Sequence, residues 1–300
     1  MNAGAAAGGA AGAGVLAAWA LVFNAFTWGV SWWPFRQLEA RGLHPLWATA
    51  VTYAIATVAL ALWRPAALRE LLRTPSLWVL VAASGCTNAA FNWGVTTGDV
   101  VRVVLLFYLM PLWALVLARL LLGERLGARA LLRVAIALAG ALIVLWPEHG
   151  GWPLPRQRSD WLGVIGGFAF ALNNVMLRHQ AHRGEIARAL AMFGGGATVA
   201  GLLALAVAAG APPLTPAAAL QGWLPGALGL AAWFMVSNLA LQYGASRLRA
   251  TTTAVVMVSE VLFASVSAIA LGAATWTAQV ALGGLLILAA ALMAAWGEKS

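Results

Sequence analysis

The chain has 300 residues, of which 62% are apolar and only 9% are charged, whereas a soluble domain carries roughly 25% charged residues. A soluble protein of this length would leave large apolar patches in water, so the composition excludes a soluble domain. The formal net charge is +9. Because the basic residues lie in short loops between apolar stretches, this charge indicates membrane topology and contact with the lipid bilayer rather than nucleic acid.

Apolar stretches of about twenty residues recur along the chain, and each is long enough to cross the hydrocarbon core as an α-helix. Charged, Pro and Gly clusters separate them. The predicted spans, in chain order, are 14–33, 44–63, 76–97, 101–122, 128–146, 161–180, 187–209, 220–243, 250–271 and 275–296. The sequence therefore predicts an all-α membrane protein with ten transmembrane helices.

Basic residues are distributed unevenly between the two ends of these spans. With the N-terminus placed in the cytoplasm, 13 of the 18 Lys and Arg residues fall in cytoplasmic segments. The positive-inside rule then predicts that both termini are cytoplasmic. We expect a multi-pass protein of a bacterial-type inner membrane.

An internal repeat divides the spans five and five. Asn88-Ala-Ala-Phe-Asn92-Trp93-Gly94 in span 3 aligns with Asn238-Leu-Ala-Leu-Gln242-Tyr243-Gly244 in span 8. The predicted halves are 14–146 and 160–296. Because five is odd, the second half must enter the membrane from the opposite side, which is the inverted repeat of many secondary transporters.

Four local features of the first half stand out: Trp28-Gly29, Arg36 eight residues after that Trp, Pro111 in span 4, and Leu-Gly-Glu-Arg-Leu at 122–126. With these features the sequence resembles the EamA-type proteins of the drug/metabolite transporter superfamily. The run Phe-Tyr-Leu-Met-Pro at 107–111 is similar to the YddG-type exporters of aromatic amino acids. The resemblance implies alternating-access export of small metabolites without an ATPase subunit.

Glu260 is the acidic residue placed deepest in a predicted span. It lies ten residues into span 9, which puts it about 15 Å deep and near the bilayer centre. A charge at that depth costs roughly 2.5–3.5 kcal/mol, so such residues usually face a cavity or a partner. Glu260 either binds a substrate ammonium group or a coupling proton, or it is a protonated structural residue.

Amide side chains form a second group of candidates, because they recur at matching places in the two halves. Buried amides either grip a zwitterionic substrate or join helices. The candidate substrate-binding amides are Asn24, Asn88, Asn92, Asn174 and Asn238.

Aromatic and soft side chains near mid-depth form a third group. A cavity lined by Trp28, Tyr108, Met110 and Trp233 would suit a flat apolar solute, although lipid-facing placement is the alternative for each. Pro111 removes a backbone hydrogen bond at the centre of span 4, which predicts a kink and a candidate hinge.

The motifs that the sequence lacks restrict the function further. It has no P-loop, no His-Glu-x-x-His, no Gly-x-Ser-x-Gly and a single cysteine. We therefore expect no cofactor, no metal site and no enzymatic activity. The predicted function is secondary export of small metabolites, amino acids above all and aromatic ones favoured. The alternatives are export of cationic drugs or other metabolites, and an intramembrane enzyme or a non-transporting membrane subunit.

Overall fold

The computed structural model describes residues 3–122, 127–146, 154–180, 182–207, 222–245, 256–257 and 259–296. Within these ranges every regular element is helical, which confirms the all-α prediction. Residues 123–126, with most of the Leu-Gly-Glu-Arg-Leu motif, lie outside the described residues. The helices are α1 (Ala3–Val30), α2 (Trp32–Ala40), α3 (Pro45–Trp63), α4 (Pro65–Arg73), α5 (Pro75–Thr97), α6 (Val100–Phe107), α7 (Met110–Leu122), α8 (Ala128–Leu145), α9 (Arg158–His179), α10 (Glu185–Val207), α11 (Leu224–Ala245), α12 (Ser259–Ala270) and α13 (Ala278–Trp296).

Several of these helices have the length and composition of membrane spans. Among the described residues, five segments are long and apolar enough to cross a bilayer, and four shorter apolar helices accompany them. Within the described residues, each predicted span overlaps a helix or a pair of consecutive helices. Two details differ from prediction. The first helix begins at Ala3 rather than at residue 14, and the charged stretch between spans 2 and 3 forms a helix of its own, α4.

Prolines set the boundaries of the helices around α4. Pro45, Pro65 and Pro75 each stand at the start of a helix, where the missing N–H removes no intrahelical bond and the fixed φ suits the first turn. His44 caps α3, because its Nδ1 accepts a 3.2 Å hydrogen bond from the Leu46 amide. α4 is therefore a separate nine-residue element between two longer helices.

Two hydrophobic clusters form the core. One surrounds α6 and includes side chains of α8, α12 and α13. The other lies between α3, the first half of α5, α10 and α11. Trp28 of α1 packs against both clusters, so this single side chain lies where the two cores meet.

Glycines allow the closest helix contacts. A Cβ atom on Gly140 of α8 would lie 2.6 Å from the Gly283 carbonyl of α13, and one on Gly283 would lie 2.7 Å from the Gly140 carbonyl. The same holds between α5 and α10, where a Cβ on Gly195 would meet the Val81 carbonyl. Since these neighbours are backbone atoms, they cannot swing aside, and glycine is required for the observed packing.

We predict that Gly140→Ala destabilises the protein by roughly 1–3 kcal/mol, because overpacking forces the two helices apart. The matched control is Gly229→Ala in α11, where a Cβ would meet nothing within 4 Å and the better helix propensity of Ala favours a neutral or stabilising effect. Thermal unfolding in detergent measures both. Equal effects of the two substitutions would contradict the packing assignment.

Candidate functional site

The fourth predicted span is broken at its centre. α6 ends at Phe107, α7 begins at Met110, and Tyr108 and Leu109 form the turn between them. Pro111 is the second residue of α7. A proline has no N–H to donate, and within a helix its ring clashes with the carbonyl four residues earlier. The helix is therefore interrupted immediately before Pro111. The span is thus interrupted where the sequence predicts a kink, and the hinge at Pro111 stays a prediction.

Glu260 meets this break. The Tyr108 hydroxyl lies 3.3 Å from Oε2 of Glu260 and 3.2 Å from the Met257 carbonyl oxygen. Tyr108 and Glu260 are 2% and 8% exposed, so the pair is shielded from the surroundings. Residues 152 positions apart in sequence are thus joined at the break.

A phenolic hydroxyl has one proton to donate, so its two neighbours compete for it. When Glu260 is ionised, the carboxylate is the stronger acceptor and Tyr108 donates to it. When Glu260 is protonated, its own O–H can donate to the Tyr108 oxygen while Tyr108 donates to the Met257 carbonyl. The direction of the hydrogen bond between Tyr108 and Glu260 therefore depends on whether Glu260 is ionised or protonated.

Aromatic rings lie around the same break and form what we call the aromatic cluster: Trp28, Phe91, Phe107, Phe170 and Phe234. Trp28 stacks on Phe234 with centroids 4.9 Å apart and meets Phe91 edge-on at 6.4 Å. Phe107 lies 4.9 Å from Phe91 and 5.3 Å from Phe170. Of these, sequence reasoning singled out Trp28 alone. Phe107 precedes Tyr108 and Phe91 precedes Asn92, so adjacency to a candidate residue was the available signal.

Asn24 joins α1 to α11. Its Nδ2 donates to the Ser237 hydroxyl at 2.7 Å and to the Ser237 carbonyl at 3.0 Å. Asn24 is 1% exposed, and its Oδ1 has no hydrogen-bond partner among the described residues. A buried acceptor in this state is uncommon and indicates room for a donor from water or a ligand.

Asn88 and Asn92 of α5 form hydrogen bonds with side chains of α3. The Tyr53 hydroxyl donates to Oδ1 of Asn88 at 2.6 Å, and Nδ2 of Asn92 donates to the Thr49 hydroxyl at 3.2 Å. Asn88 Nδ2 also donates to the Ser84 carbonyl at 2.8 Å. These contacts are those expected of amides that join two helices.

The other predicted residues are scattered. Met110 is half-buried beside the cluster around α6, and Trp233 lies 6.3 Å from the 40% exposed ring of Phe26. Asn238 is half-buried. Asn174 is exposed, whereas its neighbour Asn173 is buried. The structure thus brings Tyr108 and Glu260 into contact beside Trp28, but leaves Asn88, Asn92 and Trp233 in other helix contacts.

Asn174 is exposed on an unexpected face of α9. It stands eleven residues after Gly163 and seven after Gly167, which places all three on one side of the helix. A Cβ on Gly163 would lie 2.9 Å from the Val103 carbonyl, and one on Gly167 would meet the Phe107 carbonyl, so this side faces α6. Asn174 is therefore exposed although it stands on the side of α9 that packs against α6 nearer the start of the helix.

A polar network ties the start of α9 to the first half of the chain. Asp160 is fully buried and accepts from Arg102 Nε at 2.7 Å and from Arg102 Nη2 at 3.1 Å. Arg102 Nη1 donates to the Val144 carbonyl at 2.7 Å. Sequence reasoning missed this bidentate pair, because nothing local to Arg102 or Asp160 marks residues 58 positions apart as partners.

Arg36 closes the neighbouring helix end. It donates to the Thr96 carbonyl at 3.0 Å and to the Gly98 carbonyl at 2.6 Å, and its guanidinium lies 5.0 Å from the centroid of the Trp32 ring. Carbonyls at the end of α5 would otherwise lack partners. Arg36 therefore fixes α2 to the end of α5.

Comparison with known proteins identifies the class of protein. Residues 15–146 match the EamA-like transporter family. A probable terminal-alkyne amino-acid exporter of Streptantibioticus cattleyicolor is 27% identical, over 75% of this chain and 78% of that protein. The protein RarD of Streptomyces exfoliatus is 30% identical over 48% of this chain and 45% of its own. The first half of the chain thus carries an EamA-like transporter domain.

Further matches agree with this class. An uncharacterized transporter of Pseudomonas aeruginosa is 32% identical over 38% of this chain and 37% of that protein. A crystal structure covers 95% of the chain and 99% of its own chain at 17% identity and a TM-score of 0.52, which shows a shared fold alone. The family match and the names of these relatives indicate a multi-pass membrane transporter and not an enzyme.

We predict that Asp160→Asn lowers the free energy of unfolding by roughly 2–3 kcal/mol, because it removes the charge partner of a partly buried guanidinium. Arg102→Gln should cost a similar amount, and the double substitution should cost less than the sum of the two. Glu185→Gln, at an exposed position, is the control and should stay within about 0.5 kcal/mol. Additive effects of Asp160→Asn and Arg102→Gln would contradict direct coupling.

Proposed function

We propose that this transporter exports small amine-bearing metabolites, above all amino acids with aromatic side chains, by alternating access through a central cavity at the break between α6 and α7. The observation that carries the proposal is the buried Glu260 carboxyl against Tyr108 at that break. An ionisable group at this depth usually serves a transport pathway. The relative named as an amino-acid exporter supports the substrate class.

We propose further that the chain consists of ten spans in two inverted halves, 14–146 and 160–296. The helix contacts support this arrangement, because exchanging the halves maps them onto one another. α1 packs against α11 and α12 of the second half, and α9 packs against α5 and α6–α7 of the first. α8 packs against its own counterpart, α13.

The repeated glycines support the same arrangement. A Cβ on Gly94 would lie 3.3 Å from Cβ of Leu162, near the start of α9. A Cβ on Gly244 would lie 2.8 Å from the Ala17 carbonyl, near the start of the first predicted span. Each glycine therefore packs against the first span of the opposite half, as an inverted repeat requires.

The orientation follows from the charge bias, with both termini in the cytoplasm of a bacterial-type cell. The Arg102–Asp160 pair then lies at the external end of the bundle and closes it there. Asn174 lies five residues before the end of α9 at His179, toward the cytoplasmic end. Its exposure on the face toward α6 supports a conformation that is closed outside and accessible from the cytoplasm.

Glu260 is suited to an ammonium group for reasons of charge. In the sequence, every Lys, Arg and His residue stands at or near the end of a predicted span. The carboxylate is therefore neutralised either by a proton or by a cation that enters the cavity. An ammonium group supplies that charge, and the aromatic cluster offers ring faces for a flat side chain.

The second candidate function, export of cationic amines and drugs, is favoured by the unpartnered acceptor oxygens. The Oδ1 atoms of Asn24, Asn92 and Asn173 have no hydrogen-bond partner among the described residues. An amide oxygen accepts hydrogen bonds and cannot donate them, so these atoms suit the substrate's N–H groups rather than its carboxylate. The two candidate functions therefore differ in whether the substrate needs a carboxylate.

We expect Glu260→Gln to reduce transport at least tenfold and to abolish its pH dependence, because the amide neither binds a proton nor carries the charge that attracts an ammonium group. The measurement is counterflow of labelled Trp, Phe and Thr in proteoliposomes, with and without a pH gradient. Tyr108→Phe should lower the rate less, because it leaves the carboxyl in place. Parental activity and pH dependence in Glu260→Gln would reject the assignment.

Three indole compounds distinguish the candidate substrates. Tryptophan carries both an ammonium and a carboxylate, tryptamine only the ammonium, and indole-3-propionate only the carboxylate. We expect tryptophan and tryptamine to compete in counterflow and indole-3-propionate to have no effect. If tryptamine were transported and tryptophan were not, the cationic-amine function would replace amino-acid export. Competition by indole-3-propionate as strong as that of tryptamine would refute ammonium recognition.

Pro111 should act as a hinge. Pro111→Ala restores a backbone donor at the break and favours a continuous helix through Tyr108. We expect transport to fall several-fold with little loss of thermal stability, because the substitution stiffens a helix without opening the core. Pro225→Ala, at an exposed position at the start of α11, is the control and should leave transport unchanged. A fully active Pro111→Ala protein would contradict the hinge.

A further inference from the structure

α4 stands apart from the transport site and has a surface of its own. It lies between the end of α3 and the start of α5, so it lies at one membrane surface. Leu71 is buried, and Ala67 and Leu68 pack with it into the core cluster around α3 and α10. Arg69 and Arg73, one turn apart, are exposed on the other side. α4 is therefore amphipathic, with its arginines turned away from the core.

The exposed side of α4 forms a shallow cavity of about 290 Å³, lined by Ala66, Arg69, Glu70 and Arg73. Two guanidiniums in the wall of one cavity supply several N–H donors and two positive charges, which is the chemistry that binds a phosphate group. The Glu70 carboxylate faces the neighbouring link, where its Oε1 accepts a long 3.5 Å hydrogen bond from the Gly184 amide.

The link between α9 and α10 brings further arginines to this surface. Gly184 follows Arg183, and Arg188 lies on the second turn of α10. Both arginines are half-buried, and their Nε atoms are buried without a hydrogen-bond partner among the described residues. Together, α4 and the link place arginines 64, 69, 73, 183 and 188 against glutamates 70 and 185. The surface is thus cationic.

Exposed apolar side chains adjoin these arginines. Leu62, Trp63 and Leu72 are 80%, 60% and 57% exposed, and the Arg64 guanidinium lies 5.0 Å from the centroid of the Trp63 ring. An apolar surface next to a cationic cavity matches the two parts of a phospholipid, with acyl chains on the leucines and the phosphate on the arginines. A soluble phosphate would use only the cavity.

We propose that α4 and the α9–α10 link form a binding site for an anionic phospholipid headgroup, with Arg69 and Arg73 as the phosphate ligands. The site lies at the membrane surface that the charge bias assigns to the cytoplasm. It contains none of the residues proposed for substrate binding, so the proposal stands independently of the transported compound.

The test uses the full chain purified in detergent, with thermal unfolding and native mass spectrometry as readouts. Phosphatidylglycerol should raise the unfolding temperature more than phosphatidylcholine and remain bound in the gas phase. The double substitution Arg69→Gln with Arg73→Gln should reduce the apparent phosphatidylglycerol affinity about tenfold, whereas Arg69→Lys with Arg73→Lys should retain most of it.

The matched control is Arg41→Gln with Arg156→Gln, which removes two exposed guanidiniums elsewhere on the protein and changes the net charge equally. It should bind phosphatidylglycerol like the parent. Equal losses in the two glutamine pairs would overturn the proposal in favour of diffuse electrostatic attraction. Stabilisation by inorganic phosphate or glycerol phosphate to the same extent would overturn it in favour of a soluble anion.

Discussion

Hydrocarbon offers no hydrogen bonds, so each polar group within the spans has to find its partner inside the protein. This requirement explains most of the side-chain contacts in the structure. Arg36 donates hydrogen bonds to the carbonyls at the end of α5, and Asn88 accepts one from the Tyr53 hydroxyl. The hydroxyls of Thr27 and Thr49 donate hydrogen bonds to carbonyls one turn earlier in their own helices. Where the requirement is not met, function is the first explanation to consider.

At the break between α6 and α7, the polar groups share a small number of partners. A proline removes a donor, a tyrosine hydroxyl is shared between two acceptors, and a carboxyl is buried without a basic partner among the described residues. The Arg102–Asp160 pair differs, since both carboxylate oxygens of Asp160 are occupied. The carboxylate at this end of the bundle is therefore fully bonded, whereas the Glu260 carboxyl at the break has the hydroxyl of Tyr108 as its side-chain partner.

The helices and the break at Pro111 follow from the sequence, because apolar length and proline chemistry act locally. Glu260 was also predictable, since depth in a span is a matter of counting residues. The aromatic cluster was not. In a chain that is apolar on all sides, helical periodicity does not distinguish Phe91 or Phe234, which face the bundle, from Trp19, which does not. α4 was not predicted, because the positive-inside rule assigns its arginines to a cytoplasmic loop and does not consider whether that loop is helical.

The bond between Asn24 and Ser237 joins residues 213 positions apart, and this separation has a consequence for biogenesis. At a synthesis rate of 5–20 residues per second, α1 waits roughly 10–40 s in the membrane before Ser237 has been made. During that interval Asn24 has no α11 to bind, and it needs a temporary partner in the insertion machinery, in water or in the first half itself. The packing of α1 is thus completed only after α11 has been made.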